Sequence, residues 1–318
     1  MPQYNKTEIE RIARQNGFVR DTFEKVFRIS KILQFFNSNE LLRSHFLLKG
    51  GTAINLLIFD MPRLSVDIDM DFIPNLDANE TSMIREEIKT IVLNYMSSEG
   101  YVLSPSSYFR YSLDSFHFNY VNAGGGSDLI KIELNYSLRS HLFEPEEKVI
   151  IKDCFTDNFS VMCVNSMEIF AGKAVALMTR AAARDLYDFV NLINLNLFDK
   201  ERDLFRKSII FYSSISSDKI DEEFRTDSIN SISKQMIRRD LMPVLRQSER
   251  VNFYNLDEKI KLVKEYISEL MNLEENERDY LKCFQFKEYK PELLFTDSSI
   301  IDRIKEHPMA LWRCGEKS

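Results

Sequence analysis

Between Arg63 and Phe72 the chain alternates without exception: Arg63, Ser65, Asp67, Asp69 and Asp71 are polar, while Leu64, Val66, Ile68, Met70 and Phe72 are apolar. Side chains along a strand point to opposite faces in turn, so this run specifies a strand with one apolar and one acidic face. Asp67, Asp69 and Asp71 then crowd together, and like charges on a strand face cost stability unless something positive lies between them. A divalent cation is the usual neutraliser. A half-buried strand with solvent-facing acids also produces the alternation, but aspartate is depleted in strands and three in five residues strain that account. A second run, Ile130–Tyr136, places Lys131, Glu133 and Asn135 on one face and Ile130, Ile132, Leu134 and Tyr136 on the other. A third carboxylate, Glu133, is thus available.

Around these runs the periodicity changes twice. Residues 7–45 carry apolar positions at helical spacing and read as two or three helices. Short apolar or alternating runs follow at Phe46–Leu48, Val66–Phe72, Tyr108–Tyr120, Leu129–Leu138, Val149–Ile151 and Val161–Val164, which read as strands. Glu80–Ser98 is helical in period, and Gly124–Gly126 reads as a hairpin turn. From Ser166 nearly everything is helix-like, with Asn and Asp near 192–199 and a Ser-rich patch at 213–217 as connections. The expectation is an α+β fold: residues 1–165 form a mixed sheet flanked by N-terminal helices, and residues 166–318 an all-helical domain. With only 9 Gly and 8 Pro in 318 residues, no long flexible linker separates them.

The formal charge of −7 argues against a generally basic sleeve for nucleic acid, so any such contact must be a patch. Two basic clusters could track a phosphate backbone: Lys200, Arg202, Arg206 and Lys207, then Arg238, Arg239, Arg246 and Arg250. The cysteines Cys154, Cys163, Cys283 and Cys314 are dispersed and the four histidines scattered, which suggests reduced thiols and no zinc site. The N-terminal segment is charged throughout and no apolar run is long enough to span a bilayer, so a cytoplasmic location without membrane attachment is expected.

Upstream of the acidic strand, Leu48-Lys49-Gly50-Gly51-Thr52-Ala53 ends an apolar run in a glycine pair and starts a helical one. Two glycines let backbone N–H groups close on an anion at the start of a helix. A Gly pair at a strand-to-helix turn, then Asp67-x-Asp69, then a third acid on a later strand, resembles the nucleotidyltransferase signature of the DNA polymerase β superfamily. Lys49-Gly50-Gly51-Thr52-Ala53 with Arg63-x-Ser65-x-Asp67-Ile68-Asp69 is similar to the opening motif of the AbiEii/AbiGii-type nucleotidyltransferase toxins. Lys173-x6-Arg180-x3-Arg184-Asp185-Leu186-Tyr187-Asp188 is similar to the Lys…Arg-Asp-x-x-Asp motif of the same family. At about 100° per residue, Arg180 and Arg184 fall within about 20° of Lys173 on a continuous helix, which would make a cationic stripe; a junction in Ala181–Ala183 would move Arg184 away.

The resemblance implies transfer of NMP from an NTP, with two Mg²⁺ ions carried by Asp67 and Asp69 and joined by Glu133. Gly50, Gly51 and Thr52 would hold phosphates, the last through its hydroxyl as well as its N–H. Lys173 and Arg180 would neutralise the leaving pyrophosphate, Arg184 would extend the stripe, and Asp185 and Asp188 would orient these cations. Ser65 would contact phosphate or serve as a structural or regulatory hydroxyl. The family suggests an RNA acceptor, the tRNA 3′ end foremost, and a cognate antitoxin as partner. The implied site is a cleft between the two halves. Transfer to a protein hydroxyl and a non-catalytic NTP-binding module are the rival readings.

Overall fold

The computed structural model describes residues 5–150, 158–216, 223–252 and 255–315. Cys154 and the end of the Val149–Ile151 run lie outside the described residues. The chain divides into two compact units, one of Met1–Arg139, Pro145–Cys163 and Val244–Glu249, the other of Ser140–Glu144, Val164–Pro243 and Arg250–Ser318.

The first unit opens with three helices, α1 (Lys6–Gln15), α2 (Arg20–Ser38) and α3 (Glu40–His45). Strand β1 (Phe46–Lys49) follows, then a helical turn, α4 (Gly50–Ala53), that widens into π-helical geometry over Ile54–Ile58. The acidic strand is β2 (Asp67–Phe72), followed by α5 (Ala78–Ser98), which is closed at its start by a capping box between Asp77 and Glu80. Next come β3 (Val102–Leu103), β4 (Tyr108–Arg110), β5 (Leu113–Val121), β6 (Ser127–Asn135), β7 (Glu146–Ile150) and β8 (Phe159–Cys163). All eight strands join one mixed sheet in the order β3-β5-β6-β2-β1-β8-β7, with β4 added beside β5.

The expected single run Tyr108–Tyr120 is two antiparallel strands, because Tyr111 and Ser112 form a tight turn that pairs Arg110 with Leu113. The expected turn at Gly124–Gly126 is present. Asn122 N donates to Gly126 O at 2.8 Å, its side-chain oxygen accepts from the N–H groups of Gly124 and Gly126, and Gly125 takes φ +87°.

The apolar face of the central strands is dry. Ile68, Ile132 and Phe116 lie in register on β2, β6 and β5, each 0% exposed. Helix α2 is tied to the β5–β6 hairpin by a buried charge pair: Arg28 Nη2 donates to Glu24 Oε1 at 2.7 Å, and the Glu24 carboxylate accepts from Ala123 N at 2.9 Å. The Arg28 guanidinium also lies 4.3 Å from the centre of the Tyr120 ring. Residues 244–249 belong to this unit: Leu64 N donates to Val244 O at 2.8 Å and Arg246 N to Pro62 O at 3.0 Å.

The second unit is helical, with α6 (Ser166–Arg180), α7 (Ala183–Asn194), α8 (Arg202–Ser216) and later helices including Leu256–Leu270 and Glu275–Gln285. Glu168, 2% exposed, is held by the N–H groups of Leu142 and Phe143 and by the Tyr212 hydroxyl. Among the described residues, no helix is long and apolar enough to cross a membrane.

Glu24→Ala would take the carboxylate away from the buried Arg28 guanidinium and from the half-buried Ala123 N–H. Breaking a buried pair by removing one partner costs about 3 kcal/mol or more, and urea unfolding should show a loss of that size.

Candidate active site

The polar face of the sheet gathers the acids that the sequence singled out. β2 runs parallel to β6 with Asp67 opposite Lys131, Asp69 opposite Glu133 and Asp71 opposite Asn135, and antiparallel to β1 with Lys49 opposite Asp69. One row across the sheet is therefore Lys49, Asp69, Glu133 and, on β5, Ser115. Asp67, Asp69 and Glu133 are half-buried, whereas Asp71 is 2% exposed and bonded by the Lys49 ammonium. Asp71 is thus a buried structural partner and not a solvent-facing acid.

Like charges in adjacent register need compensation. Lys131 Nζ lies 2.8 Å from Glu133 Oε2. Burial works against the Lys131 charge, but the bond to Glu133 and the charges of Glu133, Asp67 and Asp69 overcome it and raise its pKa. The Asp69 carboxyl is pushed up to about 6, first by burial; Lys49 pulls it down, while Asp67 and Glu133 push it up again. Among the described residues, no three His, Cys, Asp or Glu side chains stand in metal-holding geometry as they are. The donor set still suits a hard divalent ion, since Asp67, Asp69 and Glu133 offer only carboxylate oxygens.

The glycine turn interlocks with this strand residue by residue. Gly50 has φ +70°, and a Cβ there would lie 2.6 Å from Asp69 Oδ2. A Cβ on Gly51 would lie 2.8 Å from Ser65 Oγ and 3.0 Å from Arg63 Nη2. Thr52 Oγ1 donates to Asp67 O, and Asn55 Nδ2 donates to Gly51 O at 2.9 Å. The Thr52 hydroxyl, expected on a phosphate, is therefore committed to the backbone of the acidic strand. Arg63 is 1% exposed, and its Nη1 donates to Leu64 O at 3.0 Å.

The second motif stands on two helices. Ala181, at φ +48°, closes α6 in the left-handed conformation, and α7 starts at Ala183. The expected stripe of Lys173, Arg180 and Arg184 on one helix is thereby interrupted: Arg184 belongs to α7, and its Nε donates to Asp240 O at 3.0 Å. Lys173, 9% exposed, places Nζ 2.9 Å from both Asp185 Oδ1 and Asp188 Oδ2. Arg180 Nε lies 2.8 Å from Asp185 Oδ2 with its own side chain 66% exposed. Burial works to raise the Asp185 carboxyl, but Lys173 and Arg180 outweigh it and hold the group below the usual range.

The basic clusters are partly consumed by the fold. Arg206 is buried and bonds Glu277 at 2.9 Å along with Asp203 and Glu274. Arg246 Nη2 donates to Asp60 O at 2.8 Å, and Arg239 pairs with Asp240 at 2.7 Å. Arg238 and Lys200 are exposed. The sequence names Lys49 in the glycine motif and Lys131 beside Glu133 without giving either a role, and Ser115 and His117 are not singled out, although the polar positions of β5 are visible in its alternation.

A glycine turn is thus locked against an Asp-x-Asp strand, with a third acid in register on the neighbouring strand. The chain belongs to the family described as "Nucleotidyl transferase AbiEii toxin, Type IV TA system", which it matches over residues 31–262. Among solved structures it is similar to MenT4, a nucleotidyltransferase toxin from Mycobacterium tuberculosis H37Rv. The TM-score is 0.61 and the identity 15%, with 97% of this chain and 99% of that one covered. That likeness establishes the fold. No curated protein matches the sequence.

The site sets two expectations. In metal-free protein the raised Asp69 pKa means that the folded state holds this proton more tightly than the unfolded chain does. Its stabilising contribution is present below the usual aspartate range and is lost as pH rises through about 6. Asp69→Asn should therefore hold or raise the metal-free Tm at pH 7 and flatten its fall between about pH 4 and 6, as thermal melts across that range will show.

Lys173→Ala would take the shared ammonium from two buried carboxylates and should cost about 3 kcal/mol in urea unfolding. Arg180→Ala, at a largely exposed side chain, should cost less than about 1 kcal/mol.

Proposed function

We propose that this nucleotidyltransferase toxin transfers NMP from an NTP to an RNA 3′ end, with tRNA as the acceptor class, by in-line attack at the α-phosphorus. The observation that carries this reading is the register of Asp69 with Glu133 beside the Gly50-Gly51 turn, which packs carboxylate oxygens against a glycine pair at a strand-to-helix turn.

In this reading Asp67, Asp69 and Glu133 hold divalent metal, with Mg²⁺ as the natural choice for a carboxylate and phosphate site. When bound, Mg²⁺ supplies charge neutralisation at the phosphoryl oxygens and activation of the attacking hydroxyl. Gly51 and Thr52 anchor the triphosphate through backbone N–H groups, because the Thr52 side chain is already bonded to Asp67 O. Ser65, half-buried against Gly51, completes that turn. Lys173 and Arg180 serve the leaving pyrophosphate, with Asp185 and Asp188 fixing the Lys173 ammonium. The family's toxin–antitoxin setting supports a cognate antitoxin as the controlling partner.

The test is to incubate the full chain with Mg²⁺, each α-labelled NTP in turn, and total RNA or total protein. Label should appear in RNA, and chelation should abolish it. Asp67→Asn and Asp69→Asn should each reduce transfer below about one hundredth while leaving the fold intact. Label in protein instead would move the acceptor to a hydroxyl side chain, and NTP binding without any label would make the chain a nucleotide-binding module. Full activity in either Asn variant would sink the metal-ligand assignment.

A further inference from the structure

A polar chain leads into the third acid from β5, on the opposite flank of β6 from Asp69. Ser115, 0% exposed on β5, lies in register with Glu133 and places Oγ 3.3 Å from Glu133 Oε1. Ser115 Oγ is 3.1 Å from His117 Nε2, and His117 Nδ1 is 2.7 Å from Ser106 Oγ. Ser106 Oγ is in turn 2.9 Å from Ser104 Oγ. The loop 104–107 also grips the His117 backbone: Ser104 N donates to His117 O at 2.7 Å, and His117 N donates to Ser107 Oγ at 2.9 Å.

Proton counting orients the chain. A serine hydroxyl has one hydrogen, and a carboxylate can only accept. Ser115 therefore gives its O–H to Glu133, and its bond to His117 must run the other way, from an Nε2–H to Ser115 Oγ. In the neutral imidazole this leaves Nδ1 as an acceptor for the Ser106 hydroxyl. Each Glu133 oxygen then has its own partner, Oε1 with Ser115 and Oε2 with Lys131, which fixes the plane of the carboxylate. Aligned bonds of this kind also strengthen one another.

We propose that Ser115 and His117 are positioning residues that set the orientation of the Glu133 carboxylate through a hydrogen-bond chain from the loop 104–107. The inference rests on the reading of Glu133 as the third acid of the transferase site. It adds two residues that touch neither substrate nor metal, in the way that outer partners orient ligating carboxylates.

The experiment combines imidazole ¹⁵N NMR on the full chain with transfer kinetics. At a pH where the ring is neutral, the His117 signal, assigned by its loss in His117→Gln, should show the proton on Nε2; a proton on Nδ1 in the wild type overturns the chain. Ser115→Ala should lower kcat about tenfold, the scale of one hydrogen bond to a charged group, with KM for NTP changed less than about twofold. His117→Gln can present an N–H at the Nε2 position and should keep most of kcat. His117→Asn reaches only the Ser106 side and should behave like Ser115→Ala. Equal rates in the Gln and Asn variants, or wild-type kcat in Ser115→Ala, would overturn the proposal. Loss of transfer in Asp67→Asn beside an unaffected Ser115→Ala would keep the transferase reading and remove only this one. If the wild type transfers nothing, the transferase reading falls while the tautomer still decides the chain.

Discussion

Like charge packed into one strand register is what the first unit has to accommodate. Asp67, Asp69 and Asp71 share a face of β2, and Glu133 stands directly beside Asp69 on a parallel neighbour. Repulsion across such a pair would favour fraying or a slip in register. Lys49 on one side and Lys131 on the other hold two of the four acids, and the raised Asp69 pKa shows that they do not offset the whole of the burial and repulsion. The dry opposite face supplies the rest. A one-residue slip would carry Ile68, Ile132 and Phe116 into the polar layer, so their burial keeps the acids aligned.

The helical unit treats its charges differently. Lys173 is surrounded by Asp185 and Asp188, and Arg206 by Glu277, Asp203 and Glu274, so these cations meet acids drawn from their own unit. Lys173 with its two aspartates and Arg206 with Glu277 remove charge from water, and removing one partner there costs more than the pair contributes. Arg180 is the contrast: it shares Asp185 with Lys173 but keeps most of its side chain in solvent. A basic residue counted along the chain is therefore a poor measure of charge offered to an acceptor, as Arg206 and Arg246 show by bonding inside their units.

Local pattern revealed β2, β6, the Asn122–Gly126 turn and the glycine pair, since each depends on residues adjacent in sequence. What it could not reveal were pairings between distant residues and conformations that the residue type does not announce. Ser115 and His117 become significant only through a register that sets Ser115 against Glu133, eighteen positions away. The α6–α7 junction turns on a left-handed Ala181, and alanine is the strongest helix former. The run from Tyr108 to Tyr120 is apolar and aromatic enough to pass for one strand, and its turn at Tyr111-Ser112 has none of the Gly, Asn or Pro that would mark it.

The first motif, by contrast, was readable because its two halves describe a single set of contacts. Lys49 bonds Asp71, Gly50 makes room for Asp69 Oδ2, Gly51 for Ser65 and Arg63, and Thr52 bonds the Asp67 carbonyl. Four successive residues of the turn thus meet Asp71, Asp69, Asp67 and Ser65, alternate positions along the acidic run. The intervening residues can change in number without disturbing these contacts, provided that the turn and the strand still meet. The residues that cannot change are those whose side chain, or lack of one, is fixed by a partner in the other half.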